Sequence, residues 1–581
     1  MQKLCELIDS LDGKPLTKYT ALYGHYTRGD IVYSIANVFG GQVKSCSVEL
    51  IFPMSRLFGD YPVAPRDRIA ASAYLLREFS VCAALANNTM EQSESKVEKG
   101  MFLPYRYGQR VLETSAVRWD DAAETVSVSL TVRLPLNKPQ YSGGKSLAGP
   151  TVTLASKNHV ISARAVRLLL TKNLPQLAET FLGQFDMDGF LEAVLLYRDQ
   201  CAIRAWLAKH GYVSFIGNGA ILPRRGKTDF KEPKNAVPFQ SPPSMEVEIP
   251  LPSGSAVCGM GIPCGVTVIT GDAYHGKSTL LDAVYSGIYN HIPGDGREYV
   301  ITDDTAMTIR AEDGRSIRCT DISFFLKNLP VAVDPRTFTT DNASGSTSQA
   351  AAVAEAVESG CRLMLFDEDR SANNFMYKDA AMRAVIPEAA TRPFTDNARM
   401  LYRTFGISSV LVVGASGEAF GIADHVILVN RFAASEYTDY VRRDVPDSPE
   451  YHPAVRTFDL RRLREFCMDR RLTVQDTGTV TVGREPVNLA DILPHATRGQ
   501  LDFIVSFLYF LTVMERPNTR ILRDAVTGLY RKIARNGINM IRQDGLCGAS
   551  AMEFVRMQDM LAILYRLRCV EFRSPASAEK Y

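Results

Sequence analysis

The feature that most constrains the fold is an eight-residue loop between a strand-like run and a helix-like run. Residues Gly271-Asp-Ala-Tyr-His-Gly-Lys-Ser278 match G-x-x-x-x-G-K-[ST] in full. The preceding run, 266–270, is typical of a buried strand, and 279–284 is typical of the start of a helix. This context predicts an α/β sheet and a loop whose backbone N–H groups bind phosphate at a helix N-terminus.

The loop predicts a nucleotide site with ATP and Mg²⁺ as cofactors. Its glycines let backbone N–H groups close on the α- and β-phosphates. Lys277 is predicted to reach the β/γ-phosphates and Ser278 to ligate Mg²⁺. The predicted nucleotide contacts here are Gly271, Asp272, Ala273, Tyr274, His275, Gly276, Lys277, Ser278 and Thr279.

A second motif follows about 90 residues later, where an apolar run ends in acidic residues at Arg362-Leu-Met-Leu-Phe-Asp-Glu-Asp369. A strand that ends in Asp-Glu is the Walker B arrangement. Asp367 is predicted to hold Mg²⁺ through water, and Glu368 to orient or deprotonate the attacking water. Glu368 and Lys277 are therefore the predicted catalytic residues.

Between these motifs, small hydroxyl residues and glycine precede an Ala-rich helical run. A helix start of this kind can take an anion, although it could also be a plain N-cap. Ser344 precedes Asp367 by 23 positions, which is the spacing between the signature serine and Walker B in ABC ATPases. Ser344, Gly345 and Ser346 are therefore predicted signature contacts to nucleotide.

The 581 residues are enough for three to four domains. From 253 to 430, short apolar strands alternate with helical patterns, which predicts a mostly parallel α/β sheet. We expect an α/β fold, with an ABC-type P-loop ATPase core at 241–430. An α+β N-terminal region, 1–240, and a mainly helical C-terminal domain, 431–581, flank the core.

Local patterns predict individual elements outside the core. Helices are expected at 66–85, 160–182, 187–210, 459–468, 488–514, 519–536 and 551–567. A strand is expected at 47–52, and alternation at 111–114 and 126–132 predicts a strand pair. No C-x-x-C pair occurs among the eleven cysteines, and the longest apolar run is about a dozen residues, against roughly 20 for a membrane span. We expect a protein without disulfides or a membrane partner.

Charge is uneven although the net value is only +2. Residues 101–240 carry 18 basic and 11 acidic side chains, whereas 251–430 carry 14 and 21. A polyanion would therefore meet the basic flanks, although a solvated surface explains the imbalance equally well. The candidate RNA contacts are Arg106, Arg110, Arg224, Arg225 and Lys227, with Tyr105, Tyr107 and Trp119 available for stacking.

The chain resembles the predicted ABC-class ATPase family, whose members lack transmembrane partners. The matching segments are 271–281, Tyr289-Asn-His-Ile-Pro-Gly-Asp-Gly-Arg297, 311–315, 343–349, 365–369, 217–225, 236–241, Asp12-Gly-Lys14 and Tyr23-Gly-His-Tyr26. Within the family, the chain resembles the ABC ATPase associated with the mitochondrial RNA-binding complex of trypanosome RNA editing. This resemblance implies ATP hydrolysis, a homodimer, a D-loop at 371–374 and a location in the mitochondrial matrix, with the cytoplasm as the alternative.

Two parts of the family pattern are missing. Transporter ATPases carry a histidine after the strand that corresponds to 409–413, but here Gly414-Ala-Ser-Gly417 follows, with Ser416 as the only polar substitute. No glutamine marks the Q-loop, for which Asp321 and Ser323 are weak candidates.

Two functions remain open. The first is an ATP-dependent clamp on single-stranded RNA, within an RNA-processing protein complex. The second is an ATPase that assembles or remodels a protein complex without touching nucleic acid. The ATP subunit of a transporter is disfavoured, because unrelated domains flank the core and the histidine is missing.

Overall fold

The computed structural model describes residues 1–40, 44–90, 97–98, 100–105, 107–137, 160–226, 233, 235–327, 333–386, 390–440, 450–474, 478–514, 521–542 and 551–574. The chain divides into two compact units. Unit 1 comprises Met1–Gly108, Glu113–Val194 and Gln543–Glu553, and unit 2 comprises Gln109–Leu112, Leu195–Arg542 and Phe554–Tyr581.

Fifteen α-helices lie within the described residues. They are α1 (Gln2–Ser10), α2 (Met54–Phe58), α3 (Arg68–Thr89), α4 (Ala163–Arg167), α5 (Leu174–Gln184), α6 (Met187–His210), α7 (Lys277–Ser286), α8 (Gly345–Ser359), α9 (Asn373–Met376), α10 (Ala380–Val385), α11 (Ala398–Phe405), α12 (Arg461–Met468), α13 (Arg498–Met514), α14 (Leu522–Asn536) and α15 (Met557–Arg566).

The strands before residue 240 are β1 (Gly24–Arg28), β2 (Ile31–Phe39), β3 (Ser45–Pro53), β4 (Val97–Glu98), β5 (Met101–Leu103), β6 (Arg110–Val111), β7 (Val117–Asp120), β8 (Thr125–Arg133), β9 (Leu136–Asn137), β10 (Val160–Ile161) and β11 (Tyr212–Gly217). Those between 240 and 440 are β12 (Glu246–Pro250), β13 (Ala256–Pro263), β14 (Val266–Thr270), β15 (Asn290–His291), β16 (Val300–Thr302), β17 (Met307–Ile309), β18 (Ile317–Thr320), β19 (Phe338–Thr340), β20 (Leu363–Asp367), β21 (Ser408–Val412), β22 (His425–Asn430) and β23 (Ala433–Glu436). The last are β24 (Thr457–Asp459), β25 (Leu472–Val474), β26 (Thr479–Val482), β27 (Glu485–Asn488) and β28 (Glu571–Arg573).

Unit 1 is built on an antiparallel sheet with the order β1-β2-β3-β8-β5, and β7 also pairs with β8. Strand β3 alternates strictly between half-buried and buried residues, as expected for a strand with one face on the core. The ring of its residue Phe52 packs against Phe181 of α5, and Phe181 packs against Phe79 of α3. This aromatic cluster joins the sheet to the helices of unit 1.

One described segment, Pro65–Thr89, is long and apolar enough by length and composition to cross a membrane. Half of it is buried inside the protein. A core helix of a folded protein passes the same test, so this segment is weak evidence for a membrane span.

The main sheet of unit 2 has the order β17-β20-β21-β14-β22-β23. All its pairs are parallel except β22 with β23, which confirms the predicted α/β core. Ile269 of β14 and Asp367 of β20 both pair with Val412 of β21. This register places the carboxyl ends of β14, β20 and β21 at the same edge of the sheet, where ligands bind in open α/β folds.

The four predicted C-terminal helices are present as α12 to α15. Strands β25, β26 and β27 form a small sheet, and β24 pairs with β28. The helical periodicity did not predict these five short strands. Each has only three or four residues, which is too short for a clear alternation of polar and apolar side chains.

The predicted strand pair between 111–114 and 126–132 is wrong. Residues 126–132 lie in β8, but its partners are β3, β5 and β7. Arg110 and Val111 form β6, which pairs with β15 of unit 2. Alternation shows that a segment is extended, but it does not choose the partner strand.

Candidate functional site

The phosphate loop runs from the end of β14 to the start of α7. Gly271 and Gly276 have φ values of 145° and 104°, which lie in the region that favours glycine. A Cβ atom at Gly271 would lie 2.1 Å from the carbonyl oxygen of Val429 on β22. Gly271 is therefore required both by its backbone conformation and by the close approach of the neighbouring strand.

Lys277 closes the loop on itself. Its Nζ donates hydrogen bonds to the carbonyl oxygens of Gly271, at 2.6 Å, and Asp272, at 2.9 Å. The ammonium group is thus held over the loop, at the place where a bound phosphate would compete for it. This geometry suits the predicted role of Lys277 as the cation that binds the β- and γ-phosphates.

The groups predicted to hold Mg²⁺ have suitable chemistry. The Ser278 hydroxyl is exposed and makes no hydrogen bond within the described part of the chain. Asp367 is mostly buried, and burial raises the pKa of its carboxyl above the ordinary value. A hydroxyl and a carboxylate are the protein ligands that Mg²⁺ takes beside phosphate oxygens. A cation here would also offset the cost of burying the Asp367 carboxylate.

Glu368 is held by groups from two other segments. Its Oε2 accepts hydrogen bonds from the backbone N–H groups of Gly414, at 2.5 Å, and Ala415, at 3.0 Å. Its Oε1 accepts a hydrogen bond from the Tyr377 hydroxyl at 2.5 Å. Both carboxylate oxygens are therefore engaged, and the backbone after β21 occupies the position where a histidine was expected.

These bonds set the charge state of Glu368. Burial raises the pKa of its carboxyl, but the bonds from Gly414, Tyr377 and Ala415, together with the charge of Lys277, lower it below the ordinary value. The pKa of Tyr377 is raised to about 12, first by burial and then by its bond to Glu368. Glu368 is consequently ionised at neutral pH, and the neutral Tyr377 hydroxyl donates a hydrogen bond to it.

Ser416 has a supporting position. Its hydroxyl hydrogen-bonds to Tyr377 and accepts a bond from the N–H of Glu418 at 3.2 Å. Ser416 thus bonds to the tyrosine that holds the glutamate. Its role as the polar substitute for the histidine of transporter ATPases stays a prediction.

The predicted catalytic groups converge at Gly414. A Cβ atom at this position would lie 3.4 Å from Lys277 Nζ and 3.7 Å from Glu368 Oε2. The loop after β14, the end of β20 and the loop after β21 therefore meet at one point. The parallel register of the three strands accounts for this meeting.

The predicted signature residues lie at the start of α8. Ser344 is the N-cap residue, is exposed, and makes no side-chain bond to the helix N–H groups. Its hydroxyl lies 2.9 Å from the hydroxyl of Thr347. A Cβ atom at Gly345 would lie 3.3 Å from both Ala311 and Asp313. The N-terminus of α8 thus has uncapped N–H groups beside the segment 311–313.

The two weak Q-loop candidates have structural partners. Asp321 is buried, and its carboxylate accepts bonds from the N–H and hydroxyl of Ser323 and from the N–H of Ala454. These bonds fix the turn after β18. They explain both residues without a ligand.

The candidate RNA contacts divide into three groups. Arg224 is nearly buried, pairs with Asp295 at 3.2 Å and donates to the backbone carbonyl oxygens of Ile221, Pro223 and Asp295. Arg110 packs on the ring of Tyr289 and donates to the carbonyl of Pro494. Arg225 is exposed. Arg106 and Lys227 lie outside the described residues.

The aromatic candidates are mainly packing residues. Trp119 stacks on Phe58 and donates through Nε1 to Ser72 at 3.0 Å. The guanidinium of Arg77 lies over the ring of Tyr107. These contacts explain the positions of the Trp119 and Tyr107 rings without a bound nucleic acid.

Family models match most of the chain. Residues 1–184 match a model described as the N-terminal domain of ATPases of the ABC class, and 186–459 match the P-loop domain of the ABC ATPases. Residues 186–459 form an ABC-class P-loop domain. The match includes all the residues that converge at Gly414, so the ABC-class assignment and the site geometry agree.

An archaeal relative matches part of this chain. An uncharacterized protein of Methanocaldococcus jannaschii, MJ1628, is 33% identical over 210 residues, which cover 34% of this chain and 46% of that protein. The match thus spans about half the length of the archaeal relative. The trypanosome resemblance is not shown by these matches and stays a prediction.

Two solved structures also match the ABC-class chain. One is described as a metal-chelate type ABC transporter in an inward-facing conformation; it is 14% identical, and the match covers 39% of this chain and 83% of that one. The other is the ADP conformation of MJ1267, an ATP-binding cassette of an ABC transporter, at 11% identity and 39% and 92% coverage. Both have a TM-score of 0.24.

Sequence reasoning missed several functional groups of the ABC-class domain. It did not identify Tyr377 or the N–H groups of Gly414 and Ala415 as partners of Glu368. A tyrosine nine positions after Glu368 in the sequence gives little indication of their hydrogen bond, because this contact depends on how α9 turns the chain back towards the glutamate. Backbone donors leave no signal in residue identity at all.

Proposed function

We propose that this chain binds Mg-ATP and hydrolyses it to ADP and phosphate. The observation that carries the proposal is the meeting of Lys277, Glu368 and the Gly414 backbone within a few ångströms at the edge of the parallel sheet. A cation that binds the phosphates and an ionised carboxylate that orients the attacking water are components that phosphoryl transfer to water requires.

The chain's own groups have distinct tasks. Lys277 exchanges its bonds to the Gly271 and Asp272 carbonyls for bonds to the β- and γ-phosphate oxygens. Glu368 orients a water and takes up its proton as the water oxygen bonds to the γ-phosphorus and the bond to the β–γ bridging oxygen breaks. Mg²⁺ between Ser278 and Asp367 would neutralise charge on the phosphate oxygens.

Two variants test this site. Lys277→Ala should weaken ATP binding, because the phosphates lose their main cation. Glu368→Gln should keep ATP bound but slow hydrolysis at least a hundredfold, the usual scale for loss of a general base. Arg403→Ala, an exposed change on α11, is the control. Parent-rate hydrolysis by Glu368→Gln would refute the catalytic assignment.

We also propose that ATP brings two chains into a head-to-tail homodimer. The uncapped, exposed start of α8 supports this, since its N–H groups can bind the γ-phosphate held by the other chain. Sedimentation of Glu368→Gln with ATP should show a dimer, and Ser344→Glu should prevent it by charge repulsion with phosphate. Monomers at tens of micromolar with saturating ATP would count against the proposal.

More specifically, we propose that this ATPase acts as a clamp on single-stranded RNA. Support comes from a cleft of about 960 Å³ in unit 2, between the segment 311–316 and residues of the C-terminal part. The arginines that line it are Arg315, Arg462, Arg471, Arg484, Arg566 and Arg568. Arg315 and Arg566 form ion pairs with Glu355 and Glu312, but Arg462 and Arg484 make no ion pair within the described part of the chain.

This cleft lies beside the predicted signature residues, because Asp313 on its wall contacts the position of Gly345. RNA in the cleft could therefore respond to closure of the ATP site. Binding should fall steeply with salt, since phosphate contacts release counterions. Arg462→Ala/Arg484→Ala should weaken binding to single-stranded RNA and reduce the salt slope by about 2. The control variant Arg336→Ala/Arg403→Ala removes the same charge outside the cleft. It should leave the RNA affinity and the salt slope unchanged.

Unchanged affinity and salt slope in the cleft variant would refute RNA binding there. Wild-type protein that binds no RNA would instead favour the alternative, a factor that assembles or remodels a protein complex. A mitochondrial location and a role in RNA editing are proposals that rest on the family resemblance alone.

A further inference from the structure

The segment 311–315 is one of the stretches that match the ATPase family, but neither the phosphate loop nor the Asp367-Glu368 pair includes it. In the structure it is bonded to the start of α8. The N–H of Glu312 donates to the Ser348 hydroxyl at 2.8 Å, and that hydroxyl donates to the Gly345 carbonyl at 2.8 Å. The segment 311–315 therefore holds the first turn of α8.

The same segment contacts α8 a second time. Arg315 forms an ion pair with Glu355, and both side chains are almost fully buried. Glu355 follows Ser348 by seven residues, which is two turns of an α-helix, so the two contacts lie on one face of α8. The N–H of Ala311 also donates to the Arg370 carbonyl, just after β20, at 3.0 Å. A shift of this segment would therefore be transmitted both to α8 and to the chain that follows β20.

The position of Glu312 is set by α15. Its Oε2 accepts a hydrogen bond from Arg566 Nε at 2.9 Å, and its Oε1 accepts one from Arg566 Nη2. Two parallel bonds between a guanidinium and a carboxylate fix direction as well as distance. Arg566 also donates through Nη1 to the Ala562 carbonyl, one turn earlier in α15, at 2.8 Å. The Glu312 carboxylate is thus tied to the last turn of α15.

The pair of Glu312 with Arg566 is charged across the physiological pH range. Burial opposes the charge of Glu312, but the charge and hydrogen bonds of Arg566, followed by the charges of Arg315 and Arg310, lower its pKa to about 2. Buried ion pairs can often be replaced by apolar residues without loss of stability, because desolvation offsets much of the attraction. Stability alone is therefore a poor explanation of this pair, whereas a fixed orientation of the segment 311–315 explains it.

We propose that Glu312 is a positioning residue for ATP hydrolysis. Through its pair with Arg566, it holds the first turn of α8 in the orientation that accepts the phosphate of a partner chain. The proposal rests on the proposed function, since it takes α8 as the helix that meets the nucleotide of the partner. It adds that α15, in the C-terminal part of the chain, controls the orientation of that helix.

The test removes both charges at once, so that neither is left buried without a partner. Glu312→Gln/Arg566→Met should lower kcat about tenfold or more, the scale of one lost charge-assisted contact. KM should change little, because the phosphate loop is unaltered. With ATP and the added change Glu368→Gln, sedimentation should show a dimer weakened by a similar factor. Arg566→Lys keeps the charge but not the two parallel bonds, and should lower kcat by a smaller factor.

The ion pair of Arg310 with Asp491 provides a matched control. Arg310 Nη1 lies 3.0 Å from Asp491 Oδ1, so this pair also joins the C-terminal part to the chain close to Glu312. Within the described residues, neither side chain bonds to α8. Arg310→Gln/Asp491→Asn should therefore leave kcat, KM and the ATP-driven dimer unchanged.

Unchanged kcat and dimerisation in folded Glu312→Gln/Arg566→Met would overturn the proposal. Equal losses in this variant and in the control would also overturn it, as would a raised KM together with a lower melting temperature, because each shows a general effect on the fold. If the double variant does not fold, parent-level kcat in Arg566→Lys would overturn the proposal. An unaltered protein that neither hydrolyses ATP nor dimerises would instead overturn the proposed function itself.

Discussion

Removal of the Tyr377 hydroxyl tests how the structure sets the basicity of Glu368. Tyr377→Phe keeps the ring but removes the donor that lies 2.5 Å from Glu368 Oε1. The two N–H bonds to Oε2 remain, so the carboxylate should stay in place. The change therefore isolates one charge-assisted hydrogen bond.

A hydrogen bond to a charged group contributes about 1.5–3 kcal/mol, and the lower end applies because solvent reaches this site. Loss of the bond should raise the pKa of Glu368, because the bond now lowers it. Hydrolysis requires the ionised carboxylate, so the acidic limb of the pH profile of kcat/KM should move to higher pH.

The assay is steady-state ATP hydrolysis between about pH 3 and pH 9, because the acidic limb of the unaltered protein lies below the ordinary pKa of a glutamate carboxyl. KM and kcat are separated at each pH. KM should change little, because the Tyr377 hydroxyl donates to Glu368 and not to a group predicted to bind phosphate. Tyr402→Phe is the matched control, since its hydroxyl makes no hydrogen bond within the described part of the chain. An acidic limb that stays in place while Tyr377→Phe remains folded would refute the claim that Tyr377 controls the charge of Glu368.

Two further changes test packing that supports the site. Gly271→Ala would place a Cβ 2.1 Å from the Val429 carbonyl oxygen, at a position where φ is 145°. The change should abolish ATP binding, measured by calorimetry. It should also lower the free energy of unfolding by about 1–3 kcal/mol, measured by thermal unfolding. Arg556→Met would remove the ion-pair partner of Asp559. Both residues are buried, and the two carboxylate oxygens of Asp559 accept hydrogen bonds from Arg556 at 2.5 and 2.9 Å. This loss should cost about 3–5 kcal/mol in denaturant unfolding, and Arg556→Met/Asp559→Leu should recover much of it.

The phosphate loop, the Asp367-Glu368 pair and the α/β core were predictable because their chemistry requires fixed residue types after buried parallel strands. Once the parallel sheet is assumed, the strand ends must lie at one edge, so the meeting of Lys277 and Glu368 follows. The glycines at 271 and 276 also indicate the loop, since each of these positions requires a backbone conformation that other residues rarely adopt.

Other parts of the site depend on contacts between distant segments, which residue patterns do not specify. Arg224 and Arg110 looked like solvent-facing cations, but a buried aspartate and a tyrosine ring take up their guanidinium groups. The charged residues of a segment can be counted from the sequence, whereas the burial of each side chain cannot be read from it.

Gln349 connects α8 to the end of β20 through hydrogen bonds that reach the backbone carbonyl of Asp367. Its amide nitrogen donates to Ser371 at 3.0 Å, its amide oxygen accepts from the Ala372 N–H at 2.9 Å, and Ser371 donates to the Asp367 carbonyl at 2.8 Å. Gln349 lies one turn after the uncapped N-terminus of α8 and is fully buried. Because an amide bonded at both ends resists sliding, a displacement of α8 should shift residues 371–372, which follow Glu368. In the proposed homodimer, a phosphate of the partner chain at Ser344 would displace α8, and the Gln349 bonds would carry this displacement to the segment after the proposed base.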